Sequence, residues 1–576
     1  MAAHSSSCIE KLPPEVLGEI FTFAAAPLTW YSTQYPDWGY PAEVSTWLPL
    51  TLVCRHWRDV AYDKSSLWAT IAVYNDSRWL EVALHRSRQQ AVTIVFHAAQ
   101  TVPTALYLLV AHARRIQKLF FMHPDLSTYN CLKQLSLVHM PVMEEIMCNE
   151  WQRSGLRGIV GWFEFKCSHF PSLRSFRCAS VQIDWEAPIL HRLTHLHLMD
   201  APMFHPSFAF DNFLGVLQKC ARGALRHLEL GNSFPFFDNE FFTTEGPFQS
   251  TRIVDFSNLD TLSLTHNKPE PIRALLSHLH LNRRIQLFVS MAGYVGAQGE
   301  DQFTGLVDLL PEDPRCIPLY KHARVAVVSA ERASETDFDY ARLFCWADTV
   351  SAGSLTVLLA MESDVDHHWA YSFDDVLRDF TQFFHSSPLE ELRLSVEDIA
   401  RTSSGPKHRA TADTLIGLFA SFPLIELLEF YIHDSELDVE CHTPLIHALW
   451  ASQLRNEASN ASPGKPLFEV EGSATLECLL PKLHHLRIEH IPYNCAFLKA
   501  LQGCLSSRKC MFKSQLHELH LEFIGRPSGF ASSRSYRSLI EQLQVVAEKV
   551  VGTDMELPGT LNYVPLTWRC HPSDRY

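Results

Sequence analysis

The chain has 576 residues, which a prior of about 150 per domain resolves into three or four domains or one long repeating array. Apolar residues make up 47% and charged residues 20%, a globular mix that excludes a mainly disordered, collagen-like or coiled-coil chain. Aspartate and glutamate number 64 against 49 lysines and arginines, a formal charge of -15, so a surface built to hold a phosphate backbone is not expected and nucleic acid drops from the partners.

The 15 cysteines are scattered and form no Cys-x-x-Cys pair, the pattern of reduced, mostly buried thiols. The first residues lack a basic start and an apolar stretch of signal length, and no segment approaches eighteen uninterrupted apolar residues. A cytoplasmic or nuclear protein without a membrane partner is expected, in which the sequons at Asn75 and Asn460 carry no glycan.

Residues 12 to 24 predict a first helix. Pro14 and Glu15 suit its start, by pre-set φ and by charge at the positive end of the dipole, and Val16, Leu17, Ile20 and Phe21 are expected to share one face. A second helix is predicted from Leu50 to Ala61, where Leu50, Val53, Cys54, Trp57 and Ala61 follow an amphipathic spacing and Arg55, Arg58 and Asp59 point away. After the turn residues 63 to 66, Leu67 and Trp68 form an apolar pair placed to pack back across both helices.

Leu12-Pro13-Pro14-Glu15-Val16-Leu17, then Ile20-Phe21, then Val53-Cys54-Arg55-His56-Trp57-Arg58, and finally Leu67-Trp68 resemble the F-box in that order. The resemblance implies a three-helix module over residues 8–75 that docks on the Skp adaptor of cullin-RING ubiquitin ligases. It also nominates Leu12, Pro13, Pro14, Val16, Leu17, Ile20, Phe21, Val53, Cys54, Trp57, Leu67 and Trp68 as residues that face the adaptor or build the module's core. Residues 25–47 depart from the usual pattern with a Pro- and aromatic-rich insert holding Trp30, Tyr31, Tyr35, Pro36, Trp38, Tyr40, Pro41 and Trp47, which resembles inserts in F-box proteins of mushroom-forming fungi. These aromatics either pack over the helices or offer a second contact surface.

Beyond residue 76 leucine dominates. With 74 leucines in the chain, Leu-x-x-Leu-x-Leu should arise by chance about once. It occurs seven times, starting at Leu132, Leu193, Leu225, Leu259, Leu276, Leu389 and Leu516, with looser copies at Ile116, Leu173, Ile425 and Leu483. In an extended chain the fourth and sixth positions fall on one face, so each copy predicts a short strand with an apolar side. Helical patterns over residues 211–220, 373–384 and 411–422 precede three of them, making the unit helix, turn, strand. One copy, beginning at Leu259, extends to the Asn267 of the common leucine-rich consensus.

Residues 76–530 therefore resemble a leucine-rich-repeat solenoid with unusually long repeats, an α/β array of short parallel strands and helices whose stacked units bury one continuous core. The alternative, a doubly wound α/β sheet, usually has Val/Ile-rich strands and Gly-rich ligand loops, whereas Gly is sparse here at 23 residues. Residues 401–412, 456–466 and 293–318 are expected as loops. Residues 536–550, with Leu539, Ile540, Leu543, Val546 and Val550 at helical spacing, are expected to form a covering helix within a C-terminal cap and tail at 531–576.

A catalytic motif would count against a ligase subunit, and the sequence has no Gly-x-Gly-x-x-Gly, Walker-type loop, Gly-x-Ser-x-Gly or His-Glu-x-x-His. Asp364, Asp366, His367 and His368 form the nearest metal-like cluster and fit a solvated loop better; Asp337 and Asp339 are two carboxylates without a nucleotide-binding context. His195, His197, His227, His484, His485, His517 and His520 alternate with the repeat leucines, which predicts polar outward positions, or a row able to bind an acidic partner at lower pH. The expectation is a non-enzymatic substrate-recognition subunit without cofactor or metal, joining the Skp adaptor, and through it a cullin, to an unknown target protein. A non-ligase scaffold and an α/β enzyme are the alternatives.

Overall fold

A computed structural model of the chain describes residues 12–25, 30–31, 40–41, 47–148, 161–163, 166–179, 181–199, 210–232, 250–266, 268–293, 305–333, 338–346, 354–362, 372–398, 410–434, 442–450, 479–492, 495–524, 538 and 541–555. The chain divides into two compact units, Met1–Val254 and Asp255–Tyr576, both of mixed α/β structure.

The first unit opens with α1 (Pro14–Ala24), whose Pro14 sits in the first turn with Glu15 beside it. Leu17 and Phe21, one turn apart, are each only 1% exposed. A short antiparallel pair, β1 (Trp30–Tyr31) with β2 (Tyr40–Pro41), falls within the predicted insert. A 3-10 turn at Leu48–Leu52 then leads to α2 (Arg55–Asp63). The predicted helix over 50–61 is thus broken at Val53 and Cys54, because Cys54 is extended and caps α2, its Sγ accepting from the Trp57 N–H at 3.5 Å. Among the described residues this segment holds two α-helices and two 3-10 turns, the second at Ser65–Trp68.

Trp68 anchors the segment. Its Nε1 donates to the Ala61 carbonyl at 3.0 Å, and its ring lies 4.8 Å from Trp47, 5.4 Å from Trp79 and 5.8 Å from Tyr62. Phe21 meets Trp57 at 5.0 Å. Full burial of each such ring contributes roughly 1.5–3 kcal/mol.

Within this unit, among the described residues, seven strands of the main sheet pair side by side, all parallel and in chain order. They are β3 (Thr70–Val73), β4 (Val92–Phe96), β5 (Ile116–Phe121), β6 (Glu145–Cys148), β8 (Ser175–Ala179), β10 (His195–Met199) and β11 (His227–Gly231). Two short strands, β7 (Gly161–Phe163) and β9 (Val181–Ile183), pair with each other beside it. One register row reads Ile71, Ile94, Leu119, Ile146, Phe176, Leu196, Leu228, all buried, so the apolar side of every strand lands on one face. Helices fill several connections: α3 (Ser77–Arg86), α4 (Val102–Ala111), α5 (Leu126–Leu135) and α6 (Phe210–Arg222).

Leu132 departs from expectation. Leu132 and Leu135 lie in α5, where their i, i+3 spacing buries both, and Leu137 beyond the helix is 62% exposed. A capping box at Asp125 and Thr128 starts that helix, so local hydrogen bonding overrides the leucine pattern.

In the second unit, β12 (Val254–Phe256) precedes β13 (Thr261–His266), α7 (Pro269–Ser277), β14 (Leu279–Leu281) and β15 (Gln286–Gly293). Here too one expected strand is displaced: Leu276 ends α7, and Leu279 and Leu281 lie in β14, which pairs with β12 outside the main sheet. After α8 (Leu306–Leu309) come β16 (Val325–Ala333), β17 (Phe338–Trp346) and β18 (Ser354–Glu362). The region 293–318, expected as a loop, thus contains a short helix, and Tyr320 Oη donates to the Pro311 carbonyl at 3.0 Å.

Strands β15 and β18 pair in parallel, β17 is antiparallel to both β18 and β16, and β16 pairs in parallel with β19 (Glu391–Asp398). The three-strand meander is therefore inserted in reverse order. The sheet then continues in chain order through β20 (Leu427–Asp434), β21 (His485–Pro492), β22 (Leu516–Ile524) and β23 (Ala547–Met555), all parallel. Leu392, Leu428, Leu486, Leu519 and Val550 share one register row.

The helices α9 (Phe373–Phe384) and α10 (Ala412–Ser421) occupy the predicted positions, and α11 (Thr443–Trp450) and α12 (Cys495–Phe512) follow. The covering helix expected over 536–550 is not formed as such. Residues 538 and 541–543 are helical, but 544–546 turn and Ala547 begins β23, because Val550 pairs with Leu519 in the sheet rather than serving a helix face; Leu539 and Ile540 lie outside the described residues.

Candidate functional site

On α1, Leu17 and Phe21 face inward, whereas Val16 and Ile20 are each 45% exposed and Phe23 is 89% exposed. The expectation that Val16, Leu17, Ile20 and Phe21 share one face is therefore corrected. Successive residues rotate by about 100°, so positions 16, 20 and 23 form one stripe while 17 and 21 form another. The helix is apolar on two sides, and only one of them is buried.

The other nominated residues sort the same way. Leu67 and Trp68 are core, Cys54 and Trp57 are half-buried at the start of α2, Leu12 is half-buried, and Pro13 and Pro14 are exposed. Val53 is 59% exposed beside Leu52 at 78%. The nominated set omitted Phe23 and Leu52. Phe23 continues the i, i+4, i+7 series from Val16, which was the available signal; Leu52 was masked by reading residues 50–61 as one helix.

An exposed stripe of this kind does no chemistry. It can bury itself against an apolar surface, gaining about 25 cal/mol per Å² removed from water. The Lys64 ammonium, 2.6 Å from the Glu19 carboxylate, links α1 to the end of α2 and holds the two helices in place at the surface.

The sheets offer a second kind of surface. In the first unit the residues that alternate with the buried row begin with an apolar cluster, Val95, Phe120, Met122 and Met147, and then turn polar. Lys118 lies 3.1 Å from Glu145, which also accepts from the Ser175 hydroxyl at 3.1 Å and has Arg177 at 3.9 Å. His195 and His227, directly paired in register, stack at 4.2 Å, and His197 Nδ1 meets Glu229 at 2.5 Å. Burial, with help from His227 and Arg177 and against the pull of Glu145, lowers the His195 pKa to about 4. His197 is 8% exposed, so these histidines are not simple solvent decoration.

In the second unit a charged ladder crosses β19 to β23. Arg393 lies 3.2 Å from Glu429, Arg487 bridges Glu429 at 3.8 Å and Glu489 more closely, and Lys549 holds Glu518 at 2.7 Å. Burial, followed by the neighbouring Glu522 and Glu429 carboxylates, raises the Glu489 pKa against the opposing effect of Arg487. His484 and His517 lie 4.8 Å apart and His517 Nδ1 is 2.9 Å from Glu548. Burial, then Arg487, lowers the His520 pKa.

Among the described residues no group of three or more His, Cys, Asp or Glu side chains is arranged to hold a metal ion, and no helix is long and apolar enough to cross a membrane. Asp364, Asp366, His367, His368, Asp337 and Asn267 lie outside the described residues, as do 401–409, 456–466 and most of the aromatic insert; Asp339 falls in β17.

A comparison with curated proteins finds no match. The F-box-like family model matches residues 9–73, the stretch that contains α1, α2, both 3-10 turns and the exposed α1 stripe. The chain carries an F-box-like domain at its N-terminal end.

Proposed function

We propose that this protein is the substrate-recognition subunit of a Skp-cullin-F-box type ubiquitin ligase, in which the F-box-like domain binds the Skp adaptor and the remaining strands and helices form a leucine-rich-repeat-like solenoid that holds a target protein. The observation that carries the reading is the Val16, Ile20 and Phe23 stripe, an apolar helix face left in solvent inside the segment that matches the F-box-like family. F-box domains generally bind Skp adaptors. The repeated parallel strands, with their buried leucine rows, support a repeat architecture for the rest.

In this reading the chain is not an enzyme and works in the cytoplasm or nucleus. Its contribution is proximity: a target held near a ubiquitin-charged enzyme reacts as if intramolecularly, at an effective concentration set by the geometry of the assembly. The test is affinity purification of the full chain with and without proteasome inhibition. Co-purification of the adaptor and a cullin, with client proteins that accumulate only under inhibition, is the expected result. Recovery of a stable set of partners that inhibition does not change, without the adaptor, would identify a scaffold instead.

A further inference from the structure

The histidines of β10 and β11 are the feature that the adaptor reading leaves unused. His195 and His227 are half-buried, directly opposite each other, and stacked with their planes 10° apart. Arg177 on the adjacent β8, Lys118 on β5, and Arg174 and Arg226, exposed at the residues just before β8 and β11, place cationic side chains at the same end of the same strands. Among the described residues the carboxylates there are Glu144, Glu145 and Glu229, with Glu145 held by Lys118 and Ser175 and Glu229 held by His197. Among the described residues four permanent cations thus stand against three carboxylates at this end, beside the stacked imidazoles of His195 and His227, in a chain whose formal charge is -15.

We propose that the polar face of β8, β10 and β11 is the docking site for a carboxylate-rich segment of the target protein, with Arg177, His195 and His227 as its recognition groups. The inference rests on the ligase reading for the word target, but not for the chemistry. An incoming carboxylate at the edge of the stacked pair favours the imidazolium form of His195, which burial, His227 and Arg177 suppress in its absence. Binding is therefore coupled to proton uptake, and affinity rises as pH falls between the free and bound pKa values. The groups that set this balance at His195 are Glu145, which favours its protonated form, and burial, His227 and Arg177, which oppose it; Lys118, paired with Glu145, and His197, paired with Glu229, share the face.

The experiment measures fluorescence anisotropy of a labelled octaglutamate peptide titrated with the full chain at pH 5.5 and 7.5, with an octalysine peptide for comparison. The expected result is octaglutamate binding at least about tenfold tighter at pH 5.5, one proton's worth of linkage over a unit of pH, and none for octalysine. Arg177→Gln weakens binding at both pH values, whereas His195→Gln combined with His227→Gln removes the pH dependence. Melting curves and retained Skp-adaptor binding establish that the variants fold. Equal affinity at the two pH values, equal binding of octalysine, or no effect of the folded variants overturns the proposal. Failure of the peptide alone, with adaptor binding intact, overturns this site and leaves the ligase reading standing. Failure of the intact chain to bind the adaptor does the reverse.

Discussion

Phe21 and Phe23 sit two residues apart on one helix and have opposite fates: one is 1% exposed against Trp57, the other 89% exposed. Phe21→Ala should therefore cost about 3–5 kcal/mol of stability through lost burial and a residual cavity, whereas Phe23→Ala should change it by less than about 0.5 kcal/mol. Denaturant titration followed by far-ultraviolet circular dichroism measures both. The identity of the apolar residues in α1 was legible in the sequence. Which of them would be buried was not, because Val16, Leu17, Ile20 and Phe21 cover too wide an arc for periodicity to say which part of it packs.

His266 yields a second residue-scale prediction. It is 5% exposed, its Nδ1 accepts from the Lys268 N–H at 2.9 Å, and burial lowers its pKa to about 4. The unfolded chain takes up a proton below about 6.5 while the fold resists it until about 4, so more protons are bound in the unfolded state across that window. Stability from this group is fully present above pH 6.5, falls as pH drops toward 4, and changes no further below. The loss is at most about 3 kcal/mol. Melting temperatures of the intact chain and His266→Asn across pH 4 to 7 should converge toward acid pH; parallel curves would refute the assignment.

At the scale of elements, hydrogen bonds at the ends of segments decide what apolar spacing leaves open. Helix α9 begins with a reciprocal capping box, the Ser372 hydroxyl accepting from the Asp375 N–H at 3.2 Å and the Asp375 carboxylate accepting from the Ser372 N–H at 2.9 Å. Ser372→Ala should cost about 1 kcal/mol, read as a shift in the denaturant midpoint with an unchanged slope. The same device explains the leucine pattern at Leu132, where Asp125 and Thr128 start a helix and the i, i+3 leucines pack from it. Leu135→Ala should then destabilise by about 2–5 kcal/mol and Leu137→Ala hardly at all, whereas two inward residues of one strand would both be costly to truncate.

Strand β17 was illegible for a different reason. It forms antiparallel hairpins with its chain neighbours β16 and β18, but what reverses the meander is the parallel pairing of β15 with β18 and of β16 with β19, partners far apart in the chain that no window of spacing contains. Strand β23 shows the milder case, in which Val550 satisfies helical spacing yet is claimed by the edge of β22, while Val546 is buried in the turn before it.

For the molecule as a whole, the F-box-like domain was the most legible feature because its residues are close in sequence and their order carries information. The sheets were legible through leucine rows and not through their polar faces, since the ion pairs from Arg393 through Glu429 to Arg487 join residues 36 and 58 positions apart in sequence. That ladder is built from partly exposed pairs, each worth about 1 kcal/mol or less, so raised salt should leave stability nearly unchanged.

In the proposed function, the exposed apolar side of α1 docks the Skp adaptor. The most direct test of that docking is calorimetric titration of the purified full chain with that adaptor, beside an Ile20→Asp/Phe23→Asp variant of unchanged melting temperature. Two anchors each worth about 1.4 kcal/mol or more predict binding by the intact chain and a loss of at least about a hundredfold in the variant. Equal affinity for both chains, or no binding by either, would contradict the account.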